Sequence, residues 1–327
     1  MVLFAFPAAA CKYRAPENTQ IFWKVAQGWQ RSEKHVLAGT VYNTSTSGRE
    51  SDQKAAIMCG ISSLDIITGP RSSIMLLGEI HDNREHHKVQ ALLTGLAGLQ
   101  AVVFEQIRAD QQPGLDAFQS TERTVSDLKR SLDWSKSGWG ENMYDRLFQE
   151  VTNLKLPIYA GDVPRDAIMK VAKEGEAALP ADERARLKLD LPLGTKLDDA
   201  SLDEIEDAHC HTMPKEALGG MAYAQRYRDA TLADNVLKAA DKHGSAILIA
   251  GNGHVRTDRG VPWYIHQRAP DKKVVSVMLI EVEDGKNDPE AYVPRDPDGK
   301  PAADYIIFTP RAERGDPCEK MRARQGK

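Results

Sequence analysis

The sequence predicts an α/β fold with a mostly parallel β-sheet flanked by helices and a small helical subdomain inserted before the last strands. Short apolar runs recur along the chain with helical segments between them, at residues 74–77, 101–104, 157–160, 246–250 and 274–280. Runs without polar alternation are typical of strands that are buried on both faces. Strands that alternate with helices favour a parallel sheet with right-handed crossovers.

The first two strands and the segment between them form a predicted βαβ unit. The apolar residues of this segment follow the i, i+3, i+4, i+7 spacing of one helix face and are Val89, Leu92, Leu93 and Leu96. Asp82 is followed three residues later by Glu85, which predicts an N-cap and its partner at the start of the helix. A later apolar run, at residues 305–308, predicts an edge strand.

We expect the α/β domain to comprise residues 35–171 and 217–310. Residues 172–216 are rich in Glu, Asp, Lys and Ala and are interrupted by Pro and Gly, so they predict the helical insertion. Residues 311–327 form a predicted polar tail.

Composition excludes several classes of protein. With 327 residues, 41% hydrophobic and 28% charged, the chain is long and apolar enough to bury a core, so it is not disordered. No apolar run approaches the roughly 18 residues of a membrane-spanning helix. The net charge of -4 supplies no basic field, so nucleic acid is not an expected partner.

Residues 1–11 resemble the end of an export signal with a lipobox. An apolar and small-residue run ends in Ala8, Ala9 and Ala10, directly before Cys11. This pattern predicts that Cys11 is lipidated and anchors the protein to a membrane outside the cytoplasm. The alternative is an ordinary apolar terminus.

The other three cysteines, Cys59, Cys210 and Cys318, contain no closely spaced pair. Their spacing excludes a zinc-ribbon signature and allows at most one disulfide. A Cys59–Cys318 pairing is left open.

Polar side chains follow four of the predicted strands. Glu79, Asp162 and Asn252 each follow a Gly at a strand end, and Glu105 follows Phe104 directly. Ligands bind outside the carboxyl ends of strands in open parallel sheets. The residues expected to converge at this edge are Glu79, His81, Glu105, Asp162, Arg165, Asn252 and His254. For Asp162 and Asn252 the alternative is a turn or capping role.

Two Gly-x-x-His segments, at residues 78–81 and 251–254, give the sharpest local pattern. Their imidazoles and the two Glu carboxylates suit a divalent transition metal or general acid–base chemistry. Glu79, His81, Glu105 and His254 are therefore the predicted metal ligands, and the predicted catalytic residues if the protein is a hydrolase. The alternative is a structural hydrogen-bonded cluster.

A helix predicted from about residue 217 to 240 carries Gln225 and Asp229 on its apolar face. Buried polar groups need partners, which Arg165 or His254 could supply. In the alternative, Asp229 lies at the edge of this face and pairs with Arg226 or Arg228. The residues predicted to support the site are Asp82, Arg165, Gln225, Asp229 and Asn252.

A loop just before this helix contains His209, Cys210, His211 and Met213. His, Met, Cys and Tyr are the side chains that ligate haem iron. The predicted cofactor-binding residues are His209, His211, Met213 and Tyr223. The alternatives are a surface loop with solvated histidines and a packing role for Tyr223.

Four segments, at residues 77–87, 103–106, 224–233 and 249–256, together resemble the ChaN-like family of haem-binding lipoproteins. The resemblance implies an α/β fold, haem as ligand and a role in bacterial iron uptake. It also implies a haem ligand that is a tyrosine in the helical part, whose position in this chain stays open. Related Tiki, TraB-like and erythromycin esterase-like proteins share the paired Gly-x-x-His and include metal-dependent peptidases.

Two hypotheses follow from the sequence and the resemblance. In the first, the protein is exported, as an outer-membrane lipoprotein or a periplasmic protein, and binds haem at a homodimer interface after receiving it from an outer-membrane haem receptor. In the second, the strand-end residues hold a metal that activates water for amide or ester hydrolysis.

Overall fold

A single seven-stranded sheet organises the part of the chain that the computed structural model describes, residues 19–46, 73–121, 124–316 and 318–319. Its strands are β1 (Val41–Asn43), β2 (Ile74–Glu79), β3 (Val102–Arg108), β4 (Ile158–Asp162), β5 (Ala246–Gly251), β6 (Val274–Glu281) and β7 (Tyr305–Thr309). The strand order is β1-β7-β6-β2-β5-β3-β4. β1 pairs with β7 antiparallel, and the other neighbours pair in parallel.

Helices cover both faces of this sheet. They are α1 (Thr19–Glu33), α2 (Arg84–Ala97), α3 (Gln112–Gln119), α4 (Val125–Ser131), α5 (Asp145–Asn153), α6 (Arg165–Glu174), α7 (Ala181–Leu187), α8 (Thr195–Ala208), α9 (Gly219–His243) and α10 (Val261–Arg268). The predicted fold class is confirmed. The proposed domain boundaries stay a prediction.

The central strands divide the core into two layers. Every residue of β2 and β5 is buried, as their continuous apolar runs predict. Alternate side chains of a strand point to opposite faces. Met75 and Leu77 therefore pack on one side with α2 and α5, whereas Ile74 and Leu76 pack on the other side with α9 and α10.

Two local expectations are wrong. α2 is capped by Asn83 and not by Asp82, because the Asn83 side chain accepts a hydrogen bond from the backbone N–H of Glu85 at 2.8 Å. Asp82 instead forms an ion pair with Arg314. The run at 305–308 does form a strand, but β7 lies inside the sheet because β1 covers its outer side.

Cys318 forms a disulfide with Cys210, 108 residues away. The open possibility of a Cys59–Cys318 pair is therefore wrong, because the C-terminal segment passes close to the end of α8. Cys59 and Cys11 lie outside the described residues, as does the predicted export signal. No helix in the described ranges is long and apolar enough to cross a membrane.

We expect Gly220→Ala to lower the free energy of unfolding by about 1–3 kcal/mol. An added Cβ at Gly220, in the first turn of α9, would overlap the backbone carbonyl oxygen of Ala172 in α6. Gly219 has nothing within 4 Å of an added Cβ, so Gly219→Ala is the matched control. Urea unfolding of both variants measures the difference. Equal stability of the two variants would contradict the close helix packing.

Candidate functional site at the carboxyl edge of the sheet

The carboxyl ends of neighbouring strands bring several predicted site residues together. β2, β5, β3 and β4 are adjacent in this order, so residues that end or follow them are close in space. Glu79, Glu105, Asp162 and His254 are all buried at this edge. Buried ionisable groups must be paired or hydrogen-bonded, so their partners define what the site can do.

Glu79 is a buried carboxylate that several donors surround. Nδ1 of His81 donates to its Oε1 at 2.7 Å, Nε2 of Gln106 donates to the same oxygen at 2.9 Å, and the Tyr144 hydroxyl donates there as well. Nε2 of His87 lies 3.3 Å from Oε2. Burial alone raises the pKa of a carboxyl group, but the hydrogen bond from His81 and the close imidazole of His87 outweigh burial and lower the pKa of Glu79 to about 2.

His81 is the member of the cluster that reaches solvent, with 36% of its side chain exposed. Its ring centroid lies 4.7 Å from that of Trp139, and its Nε2 lies 3.8 Å from Oε1 of Glu105. Burial alone lowers the pKa of a histidine, but the hydrogen bond to Glu79 and the charge of Glu105 raise the pKa of His81. An imidazole oriented by a buried carboxylate can serve general acid–base chemistry.

Arg228, on α9, joins the carboxylates that end two strands. Its guanidinium donates to Glu105 Oε1 at 2.7 Å and to Asp162 Oδ2 at 2.6 and 2.9 Å. Burial raises the pKa of a carboxyl group, but the charges of His254, His81 and Arg228 hold the pKa of Glu105 well below its usual value. Glu105 is therefore an ionised group in a paired network.

His254 connects this network to α9. Its Nδ1 donates to Asp229 Oδ1 at 2.6 Å, and its Nε2 lies 3.3 Å from Glu105 Oε1. The Gln225 amide nitrogen lies 3.1 Å from Nδ1 of His254. Burial lowers the pKa of a histidine, but the charges of Glu105 and Asp229 raise the pKa of His254 to about 10. Asp229 thus lies on the buried face with His254 as its partner, and the half-buried Gln225 contacts the same ring.

Gly251 gives the backbone room at the centre of the cluster. Its N–H donates to Glu105 Oε2 at 2.6 Å, and an added Cβ would lie 2.9 Å from Nε2 of His81. The following residue, Asn252, donates through Nδ2 to the Leu279 carbonyl at 2.8 Å, so it fastens the loop to β6. Gly251, the first residue of the second Gly-x-x-His segment, is therefore required because a side chain at this position would collide with His81.

Two predicted residues lie apart from this cluster. Arg165 is exposed in the first turn of α6, and the carboxylates of the cluster are bound by Arg228 instead. Asp82 is exposed and pairs with Arg314 at 2.7 Å. Of the two predicted partners for Gln225 and Asp229, His254 contacts both residues, and the expectation for Arg165 is wrong.

The loop after α8 lies beside a separate cavity of about 220 Å³. The lining residues include His209, Gln225, Arg226, Asp229 and Arg259, together with the apolar side chains Leu193, Ile205 and Ala208. Because Gln225 and Asp229 contact His254, the cavity shares a wall with the strand-end cluster. The predicted cofactor-binding loop and the predicted strand-end site are therefore adjacent.

The other predicted loop residues occupy different environments. The side chain of His211 is 66% exposed, and its Nε2 lies 3.0 Å from Asp207 Oδ1. Met213 is half-buried. The buried hydroxyl of Tyr223 has no hydrogen-bond partner among the described residues. Burial also raises the pKa of this hydroxyl.

Several residues of the cluster are not among the predicted site residues. They are His87, Gln106, Trp139, Tyr144 and Arg228. Gln106 directly follows Glu105, and Arg228 directly precedes Asp229. Their position next to a predicted site residue could therefore have indicated both. Tyr144 precedes α5, and nothing local in its sequence indicates that its hydroxyl reaches Glu79.

The cluster has no arrangement for a metal ion. In the described ranges, no group of three or more His, Cys, Asp or Glu side chains is placed to hold one. The reason lies in the partners: the Arg228 guanidinium occupies Oε1 of Glu105, and the backbone N–H of Gly251 occupies Oε2. The geometry favours a hydrogen-bonded charge network.

Glu79→Gln should destabilise the protein most at neutral pH and least in acid. The ordinary carboxyl pKa of 4.5 falls to about 2 in the folded chain, so the stabilisation is complete above pH 4.5 and is lost as the pH falls toward 2. The expected loss of unfolding free energy is about 3 kcal/mol near neutrality. Urea unfolding across this pH range measures it, with the exposed Glu313→Gln as control. A loss of unfolding free energy that does not change with pH would contradict the lowered pKa of Glu79.

Comparisons with known proteins bear on this geometry. A family model described as haem-binding uptake, Tiki superfamily, ChaN matches residues 70–265. The structure is similar to ChaN of Campylobacter jejuni, for which cofacial haem binding is described, at 20% identity and a TM-score of 0.58, covering 82% of this chain and 95% of that chain. This likeness concerns the fold.

Two further structures are similar at 12% identity. A variant of the erythromycin esterase EreC in its open conformation has a TM-score of 0.45, covering 85% of this chain and 99% of that chain. A succinoglycan biosynthesis protein has a TM-score of 0.43, and the match covers 80% of this chain and 76% of that chain. No curated protein matches the sequence. Because the family model spans more than half of the sequence, the chain belongs to the ChaN family of haem-binding uptake proteins in the Tiki superfamily.

Proposed function

We propose that this protein binds haem beside the loop after α8, with His209 as the iron ligand. The observation that carries this proposal is the geometry of His209. Its Nδ1 lies 2.7 Å from the Ile205 carbonyl, which can only accept, so Nδ1 carries the proton and Nε2 of the neutral ring keeps its lone pair. This is the usual arrangement of a metal-ligating histidine, whose other nitrogen is held by a backbone carbonyl.

The residues around His209 suit one side of a haem. Leu193, Ile205 and Ala208 give the cavity an apolar wall. Arg226 also lines it and, among the described residues, donates to the neutral oxygens of Tyr264 and Leu191, so its charge can bind a propionate.

A cavity of about 220 Å³ is smaller than the usual pocket for a drug-sized ligand, roughly 300–1,000 Å³. One chain would therefore cover only part of the macrocycle. We propose that a second copy covers the rest, which makes the protein a homodimer in its haem-bound form.

The other candidate ligands have less support than His209 as ligands of the haem iron. Both nitrogens of His211 lie near acids, with Nδ1 3.7 Å from Glu206 and Nε2 3.0 Å from Asp207. Tyr223 is the second candidate, because its buried hydroxyl lacks a partner among the described residues and a phenolate can ligate haem iron. We assign Met213 no bond to the iron and propose only that its side chain lies near the macrocycle.

We further propose that haem is cargo in bacterial iron uptake, received from an outer-membrane haem receptor. The Cys210–Cys318 disulfide supports an oxidising location, since such bonds persist mainly outside the cytoplasm. This agrees with export as an outer-membrane lipoprotein or a periplasmic protein, with lipidated Cys11 as the membrane anchor. Metal-dependent hydrolysis has less support, because Glu105 is already bound by Arg228.

Haemin titration of the whole chain, followed by absorbance, tests the proposal. We expect saturable binding near one haem per chain and a shifted Soret band, with a change toward a dimer in sedimentation. Iron-free protoporphyrin is the control, because it can enter an apolar cleft without ligation. A linear, unsaturated response to haemin, or equal binding of the two porphyrins, would count against an iron-ligating site.

A further inference from the structure

The C-terminal strap, which comprises residues 310–316 and Cys318, follows β7 and reaches the loop after α8. It leaves the end of β7 and is fastened near β2 and β6. The Pro310 carbonyl accepts from Asn83 at 2.9 Å, and the Ala312 N–H donates to Glu281 at 3.0 Å. The strap ends at Cys318, which is bonded to Cys210 directly beside His209. One segment therefore connects the sheet to the ligand loop, residues 209–213.

Charge holds the middle of the strap in place. Arg314 donates to both Asp82 oxygens at 2.7 and 2.8 Å and to both Glu281 oxygens at 2.7 and 2.5 Å. These contacts lie on the sheet side, at the ends of β2 and β6. The sheet end of the strap is thus fixed by several hydrogen bonds, whereas the disulfide is its covalent attachment to the ligand loop.

The backbone of the ligand loop has an unfavourable conformation that the disulfide can help to maintain. Cys210 and His211 have φ values of 59° and 52°, which is the left-handed region that non-glycine residues rarely adopt. A non-glycine residue persists in this region only where its surroundings enforce it. Thr212 supports the turn by donating to the His209 carbonyl at 2.6 Å, and the disulfide restrains Cys210.

We propose that the Cys210–Cys318 disulfide is a redox control on the ligand loop: when oxidised it holds His209 in place, and when a dithiol reduces it the loop relaxes and haem binds more weakly. This rests on the haem-binding function proposed above. In the reduction, one thiolate of the dithiol attacks the S–S bond, forms a mixed disulfide with one cysteine and releases the other as a thiolate. The second thiolate of the dithiol then attacks the mixed disulfide and releases the remaining cysteine, so that two electrons and two protons pass to Cys210 and Cys318. The dithiol leaves as a disulfide.

The test compares the oxidised wild-type chain with the double variant Cys210→Ser/Cys318→Ser, which has no free thiol at this position to bind iron. We expect haemin binding about ten-fold weaker in the variant, because the ligand is no longer held in its binding geometry. Glu319→Ala, an exposed change beside the disulfide, is the control and should bind as the wild type does. Wild-type protein reduced in its folded state and desalted without oxygen gives a second comparison that does not depend on a substitution.

Hydrogen exchange without haem separates this proposal from the haem-binding function. Residues 205–213 should exchange faster in the double variant and in the reduced wild type than in the oxidised chain. If the wild type fails to bind haemin, the proposed function fails, and faster exchange still supports control of the loop by the disulfide. Equal exchange in all three forms, or equal haemin affinity of a binding wild type and its double variant, would overturn the redox control.

Discussion

Arg228→Met is expected to lower the free energy of unfolding by about 3–5 kcal/mol, because it breaks a buried ion-pair network. Arg228 is bound to Glu105 and Asp162, both buried. Among the described residues, removing the cation leaves the buried Asp162 carboxylate without its ion-pair partner and leaves Glu105 with only the imidazoles of His81 and His254. Urea unfolding at neutral pH measures the loss.

The matched control is Arg226→Met, on the same helix. Among the described residues, Arg226 donates to the neutral oxygens of Tyr264 and Leu191, so its removal should cost about 1 kcal/mol. Acidification should narrow the gap between the two variants, since protonated carboxyl groups no longer need the cation. Equal losses for the two variants at neutral pH would mean that the paired network does not carry the stability of the strand ends.

His209→Ala is expected to weaken haemin binding by at least about 100-fold. Loss of a group that merely supports a ligand typically costs 10–100-fold in metal affinity, so loss of the ligand itself should cost more. His211→Ala is the matched control: it removes an imidazole two residues away that is already paired with Asp207, and binding should stay within about three-fold. Absorbance titrations of the two variants and the wild type give both affinities.

Tyr223→Phe resolves which candidate ligates the iron. It removes only the hydroxyl, which has no partner among the described residues, so the fold should tolerate the change. With His209 as ligand, this variant keeps the wild-type spectrum. A variant spectrum that changes with Tyr223→Phe and not with His209→Ala would assign the iron to the tyrosine.

The sheet was predictable because its signal is local. The buried runs of β2 and β5 need no knowledge of their neighbours, and their alternation with helices implies parallel pairing. The order of the strands is not local: β5 lies between β2 and β3, although it follows both by more than 130 residues. The failure at the cap of α2 is of another kind, because Asp82 and Asn83 are both good cap residues and only the backbone geometry selects Asn83.

The candidate site was predictable in its strand-end members and not in their partners. Glu79, Glu105 and His254 follow from one rule about the carboxyl ends of strands. Arg228 reaches Glu105 across 123 positions of sequence, and Tyr144 reaches Glu79 across 65, so neither contact has a spacing signature. The cysteine pairing failed for the same reason, because the path of the C-terminal strap decides it.

The nature of the cluster also depended on these partners. Two histidines and two glutamates at strand ends suit a metal as well as they suit hydrogen bonds. The guanidinium of Arg228 and the N–H of Gly251 favour the hydrogen-bonded arrangement, since both donate to the oxygens of Glu105. Residue types alone do not distinguish the two arrangements.

We propose that a histidine nitrogen of the ligand loop binds the haem iron. Pulsed electron paramagnetic resonance of the ferric complex, prepared with isotope-labelled histidine, tests it most directly. We expect an imidazole nitrogen coupled to the iron in the wild type and in His211→Ala, and loss of this coupling in His209→Ala. Coupling to porphyrin nitrogens alone in the saturated wild-type complex would contradict it.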